Sequence, residues 1–348
     1  MYERFFGLRE RPFDLTPNPR YLYLTGCHRE ALSNLQYGIV GRRGMTLLIG
    51  EAGTGKTTLV RAALDAVAGP SVRCVYVSNP VLTRAEFYEF LAQKFGLSRE
   101  AEASKARFLF ELEESVLDRH RAGGVTALVI DEAQSLPHEL LEEVRLLANF
   151  ETETEKLLPV VLAGQPELAS RLEHEELRQL KQRVALRCDL SALDIRETAS
   201  YVAGRIAIAG GDSARIFTRE AVQVIYERSA GIPRTISVIC DNALLSGFAA
   251  GVRPVGASLV LEVCRDFRLP QFKTTEISPA APVYHATGPD GPGAPRPSNG
   301  SGPRTANVLI PAAPKSEPAD DDEPREHPHA RGMFSHFAKK KRRFSFFG

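Results

Sequence analysis

One run of residues constrains this chain more than any other: Gly50-Glu51-Ala52-Gly53-Thr54-Gly55-Lys56-Thr57, which reads G-x-x-x-x-G-K-T. It sits between an apolar run at 45–49 and an amphipathic stretch opening at Thr58, so strand, tight turn and helix follow one another. Glycine is the residue that lets a backbone turn this sharply and bring its N–H groups against an anion without a side chain intervening. The bland alternative is a glycine-rich turn with a stray lysine, and the flanking strand and helix weigh against it. The pattern implies a phosphate-binding loop running from Gly50 to Thr58. Gly50, Glu51, Ala52, Gly53, Thr54, Gly55 and Thr58 would wrap a triphosphate, and the Lys56 ammonium would reach its β- and γ-phosphates. The Thr57 hydroxyl would hold Mg²⁺, and the helix opening near Gly55 would direct its positive end at the phosphates.

At 348 residues, of which 25% are charged, the chain has room for one large or two ordinary soluble domains, and its net charge is close to zero. Neither a leader at the start nor a run of membrane-spanning length is evident, and the expectation is a cytoplasmic chain. The five cysteines are scattered, without C-x-x-C spacing, and read as core thiols rather than as a metal site or disulfides.

Between residues 45 and 190 strand-length apolar runs alternate with helix-period stretches, the pattern of a parallel sheet covered by helices on both faces. Strands are expected at 45–49, 73–77, 127–130, 158–163 and 184–190, and helices at 56–67, 84–95, 105–121, 140–149 and 175–182. Helix-period segments alone follow, at 196–209, 218–229 and 233–250. The fold class is α/β, a P-loop sheet domain over 1–192, with a small all-α lid over 193–269. Beyond it Pro, Gly, Ala and Ser dominate, and 270–332 is expected to be a disordered linker because it has too little apolar surface to offset its ordering entropy.

Phosphoanhydride hydrolysis needs a carboxylate for Mg²⁺ and a group to activate water, usually supplied from the end of a neighbouring strand. Asp131 and Glu132, directly after the apolar run 127–130, fit the two roles: Asp131 in the Mg²⁺ shell, Glu132 as catalytic carboxylate. An isolated D-E pair is more often two solvated acids capping a strand, but downstream of a phosphate-binding loop that reading loses weight.

These motifs, followed by an arginine-bearing helix and a helical lid, resemble an ATPase of the AAA+ superfamily. The finer wording is similar to the general secretion pathway protein A family and its relatives in exopolysaccharide and exosortase clusters. The matching segments include 2–8, 12–19, 21–23 and His28-Arg29-Glu30-Ala31-Leu32, then Asp131-Glu132-Ala133-Gln134, Glu143-Val144-Arg145-Leu146-Leu147, Gly164-Gln165-Pro166-Glu167-Leu168 and Gly231-Ile232-Pro233-Arg234. The resemblance implies ATP and Mg²⁺ as ligands and ATP hydrolysis as the activity. It makes Gln165 a polar sensor of the γ-phosphate, and Arg234 a lid arginine reporting nucleotide state. Arg183 becomes an arginine finger acting on a neighbouring subunit, with Arg178 and Arg187 as competitors. It also places the N-terminal segment, 1–40, against the adenine, although Phe5, Phe6, Phe13, Tyr21 and Tyr23 serve equally well as core staples.

Implied partners are further copies of the chain, in a ring or filament, and cell-envelope export or polysaccharide-assembly proteins. Secretion-type members continue into a membrane-spanning helix and a peptidoglycan-binding domain, neither of which is evident here. The chain instead ends in Lys339-Lys340-Lys341-Arg342-Arg343 flanked by phenylalanines, within 333–348. Such a segment suits peripheral attachment to an anionic membrane at its inner face, a docking peptide, or nucleic-acid contact. Two rival functions stay open: a DNA-associated ATPase using Arg178, Lys181, Arg183 and Arg187, and a scaffold that binds ATP without turnover.

Overall fold

The computed structural model describes residues 1–14, 19–78 and 81–269. The linker and the basic, aromatic tail expected at 270–332 and 333–348 lie outside the described residues.

In chain order the elements are α1 (Tyr2–Phe6), α2 (Gly26–Val40), β1 (Met45–Gly50), α3 (Lys56–Val67), β2 (Val72–Val77), α4 (Arg84–Phe95), α5 (Arg99–Ala103), α6 (Lys105–Arg121) and β3 (Val125–Ile130). A 3₁₀ turn at Ala133–Ser135 leads to α7 (His138–Leu147), β4 (Val160–Gly164), α8 (Pro166–Leu172), a second 3₁₀ turn at Glu175–Leu177, α9 (Arg178–Lys181) and β5 (Val184–Leu190). The helical bundle is α10 (Ile195–Ile208), α11 (Arg219–Ser229), α12 (Pro233–Ala249) and α13 (Ala257–Asp266).

The five strands form one parallel sheet in the order β2-β3-β4-β1-β5. Strand alternation divides the core cleanly. Leu47, Ile49, Val75, Val77, Leu128, Ile130, Val160 and Leu162 face α4, α6, α7 and α8. Leu48, Ala127, Val129, Val161, Ala163 and Leu190 face α2 and α3. Both faces are covered, so β1, β3 and β4 are buried along their whole length, and this is why they read as unbroken apolar runs. One arrangement differs from expectation: β4 lies between β1 and β3, so Asp131 comes from the second strand over rather than from the adjacent one.

Expected helices at 56–67, 84–95 and 105–121 match α3, α4 and α6. The helix expected at 140–149 starts earlier, at His138, because Pro137 fits the extended cap position. The one expected at 175–182 divides into a 3₁₀ turn and the short α9. Helices α1, α2, α5, α8 and α13 were not expected. All five cysteines are free, with Cys188, Cys240 and Cys264 buried.

The bundle has its own core, and the N-terminal segment belongs to it. Tyr2, Phe6, Leu8 and Phe13 pack with Tyr201, Ile206, Ile225, Ile239 and Leu244. The Tyr2 hydroxyl donates to Asp241 on α12. Phe6 and Phe13 are therefore core staples, and Phe5 packs beside them against Phe248.

Candidate nucleotide site

The loop between β1 and α3 owes its shape to two left-handed glycines, Gly53 at φ +86° and Gly55 at φ +102°. Thr54 closes the turn by donating its hydroxyl to the Glu51 carbonyl at 2.8 Å. Lys56 folds back over the loop and donates to the Gly50 and Glu51 carbonyls at 2.8 and 3.0 Å. It is 4% exposed, and burial pushes its ammonium down from the ordinary lysine value, against the pull of Glu132 and Asp131.

Thr57, on the first turn of α3, donates its hydroxyl to Asp131 Oδ2 at 2.6 Å, and the Tyr76 phenol on β2 donates to the same oxygen at 2.9 Å. The other carboxylate oxygen, Oδ1, accepts from the Glu132 N–H at 2.9 Å. Glu132 sits in the left-handed region at φ +53°, which for a non-glycine residue persists only where the surroundings fix it. Gln134 Nε2 donates to Glu132 Oε2 at 2.6 Å, and Gln165 Nε2 approaches the same oxygen at 3.4 Å.

A cleft of about 330 Å³ opens over this group. It is lined by Gly53 to Thr58 and Glu132, by Tyr21 and Tyr23 of the N-terminal segment, and by Tyr201, Arg205, Arg234 and Ser237 of the bundle. His28 joins the N-terminal segment to the loop. Its Nε2–H donates to the Thr54 carbonyl at 3.1 Å, and its Nδ1 accepts from the Thr25 hydroxyl at 2.7 Å; a carbonyl only accepts, so the proton belongs on Nε2. The bundle meets the loop directly. The Arg234 N–H donates to the Gly53 carbonyl at 3.3 Å, and a Cβ on Gly53 would stand 2.8 Å from Arg234 Cβ. Arg205 lies over the rings of Tyr21 and Tyr201 at 5.0 and 5.2 Å, and donates to the Tyr201 and Ser237 hydroxyls.

The expected residues thus fall into two places. Gly53, Thr54, Gly55, Lys56, Thr57, Thr58, Glu132 and Arg234 line the cleft, Asp131 and Gln165 reach it through Thr57 and Glu132, and Gly50, Glu51 and Ala52 do not line it, the first two turning their carbonyls to Lys56. Arg183 does not: it precedes Val184, which pairs with Met45 at the end of β1 opposite Gly50. Sequence reading assigned no role to His28, Tyr76, Gln134, Tyr201, Arg205 or Ser237. Gln134 lay within a quoted motif, but its significance depends on where its amide points. Tyr201 and Arg205 show only the i,i+4 spacing of any helix.

General secretion pathway protein A of Aeromonas hydrophila is 42% identical to this chain over 252 residues, 72% of the chain and 46% of that protein. The AAA domain family matches residues 40–172. Residues 40–172 thus carry an AAA domain, and most of the chain is similar to general secretion pathway protein A. It spans about half the length of that relative. In fold this AAA+ chain is similar to the ORC2 protein of Aeropyrum pernix, solved as ADPNP–ADP complexes, at 17% identity and TM-score 0.54 over 78% of this chain and 75% of that one. It is also similar to the ORC1 protein of Aeropyrum pernix, solved with DNA, at 15% identity and TM-score 0.55 over 75% and 70%. The AAA+ fold is a nucleotide-binding one, and the residues present suit ATP and Mg²⁺. The left-handed glycines Gly53 and Gly55 put no Cβ into the loop at those two positions, and Thr57 with Asp131 offers adjoining hard oxygen donors. Among the described residues no helix is long and apolar enough to cross a membrane.

Proposed function

We propose that the chain binds ATP with Mg²⁺ in this cleft, hydrolyses it, and works as an oligomeric switch or motor for a cell-envelope secretion or polysaccharide export and assembly system. The observation that carries the hydrolytic part is the Glu132 carboxylate, held by side-chain amides in the cleft that Lys56 and Thr57 also line, with Asp131 bonded behind Thr57. Lys56 and the loop N–H groups would hold the β- and γ-phosphates. Thr57 and Asp131 would hold Mg²⁺, which supplies charge neutralisation across the phosphate oxygens. Glu132 would accept the proton of the attacking water, and Gln165 would orient that water or the γ-phosphate. Tyr21, Tyr23, Tyr201 and Arg205, which also line the cleft, would surround the base. Arg234, bonded to Gly53, would transmit nucleotide state to the bundle. Since Arg183 stands at the far end of the sheet, any role in turnover would be on a neighbour's ATP.

The secretion role rests on likeness to general secretion pathway protein A and extends to residence in the cytoplasm or at the inner face of the membrane. The DNA-associated alternative is weakened by pairing within its basic cluster: Lys181 bonds Glu173, and Arg187 bonds Asp189 at 3.0 Å. Steady-state ATP turnover per subunit, measured against protein concentration with Glu132→Gln alongside, tests the proposal. A rate that climbs with concentration and is lost in Glu132→Gln supports it; equal rates for parent and variant refute the assignment of Glu132.

A further inference from the structure

Gln134 makes a pair of contacts that fix its amide without ambiguity. Its Oε1 accepts from the backbone N–H of Gln165 at 3.1 Å, and its Nε2 donates to Glu132 Oε2 at 2.6 Å. A backbone N–H only donates and an ionised carboxylate only accepts, so the reversed amide would oppose both neighbours. The main chain of the same residue is held as well. Arg171 on α8 donates from Nη1 to the carbonyls of Gln134 and Leu136 at 2.7 and 2.8 Å, bracing the 3₁₀ turn that follows Glu132.

Gln165 caps the N-terminus of α8, directly after β4. Both side-chain amides therefore reach Glu132 on Oε2, from the turn after β3 and from the end of β4. Both bonds fall on Oε2 and neither on Oε1, and they hold the side chain of a residue whose backbone is in the left-handed region.

We infer that Gln134 is a positioning residue for hydrolysis: its amide clamps Glu132 Oε2 and ties the orientation of that carboxylate to the start of α8. The inference rests on the reading of Glu132 as the group that accepts the proton of water. Gln134 does not line the cleft, so it acts on turnover through Glu132 and leaves nucleotide binding alone.

The test compares Gln134→Ala, Gln134→Glu and Glu132→Gln with the parent chain, measuring kcat and KM for ATP, Kd for a fluorescent ATP analogue, and kcat between pH 6 and 8. Gln134→Ala should lower kcat about 10- to 100-fold, the scale seen when a supporting hydrogen bond to a catalytic group is lost, with Kd changed less than about threefold. Gln134→Glu preserves shape and the bond from Gln165 N–H but replaces the donor with a second carboxylate against Glu132. Like charge raises the affinity of that pair for one shared proton. As pH falls the introduced carboxyl regains a proton to donate, and the ratio of variant to parent kcat should rise.

Three outcomes overturn the inference. In the first, Gln134→Ala keeps kcat within twofold of the parent while Glu132→Gln abolishes it, which leaves the hydrolytic reading intact. In the second, both Gln134 variants lose kcat and nucleotide binding together, with a pH-independent ratio, which marks a structural role. Parent-like turnover in Glu132→Gln would remove the hydrolytic reading of Glu132 and the inference with it.

Discussion

Asp131 divides its carboxylate between tasks: Oδ1 holds the Glu132 N–H, and Oδ2 takes both Thr57 and Tyr76. Burial, reinforced by Asp131, pushes the Tyr76 phenol up to about 12, so it stays a donor across the working pH range. Tyr76→Phe should leave the fold intact, since the ring is kept. It should raise the Mg²⁺ concentration for half-maximal ATP turnover several-fold, consistent with the cost of losing an outer hydrogen bond at a metal-binding carboxylate. Unchanged Mg²⁺ dependence would mean that Tyr76 only packs. At this scale the sequence was informative about the groups that touch phosphate and much less about those that orient them. Lys56 and Thr57 are fixed by spacing along one loop. Tyr76, Gln134 and His28 act across gaps that close only when the sheet and the N-terminal segment are in place.

Among the elements, the seam between β5 and the bundle is the tightest. Ala230 and Gly231 both take left-handed conformations, the Leu193 N–H donates to the Gly231 carbonyl at 2.9 Å, and a Cβ on Gly231 would stand 2.0 Å from the Leu193 oxygen. Gly231→Ala should therefore cost about 2 kcal/mol or more in a denaturant titration and weaken nucleotide binding, because Arg234 lies three residues on. A second joint ties α4, α6 and α7. Buried Glu143 accepts from Tyr88, from Lys105 at 2.7 Å and from Arg84 at 3.0 Å. Burial alone would raise its pKa, but the bonds from Lys105 and Tyr88 and the charges of Lys105 and Arg84 outweigh burial and hold it below the usual glutamate value. A lowered folded pKa adds stability above the unfolded value, and that stability is lost as pH falls through the folded one. Glu143→Gln should be about 1–2 kcal/mol less stable than the parent at pH 7, a modest figure because Lys105 and Arg84 are half-exposed. The gap should narrow on acidification in denaturation curves at pH 7 and 4. The buried strands were legible because both faces are apolar. The order that inserts β4 between β1 and β3 was not, because pairing between distant strands leaves no local mark. Helix α2 has little apolar signal in the sequence because two of its buried positions are His28 and Gly38, beside Ala31, Leu35 and Ile39.

For the whole molecule, the separation of Arg183 from its own cleft gives a test of assembly. Glu132→Gln and Arg183→Ala should each turn over ATP slowly alone. Mixed, they should recover part of the parent rate, since an interface joining the intact cleft of one variant to the intact arginine of the other is then complete. No recovery at any ratio would argue that Arg183 serves only the surface of its own subunit.

The packing of Tyr2, Phe6 and Phe13 against α10 to α13 also bears on how the protein is made. These aromatic side chains leave the ribosome long before the helices that cover them, and the whole sheet is synthesised in between. Loop closure over such a span is slow compared with the local pairing of helices. Until the bundle is made, the N-terminal aromatics lack the partners that bury them. The cleft is lined both by Tyr21 of the N-terminal segment and by Tyr201 of the bundle, so it is complete only once synthesis has run through the bundle.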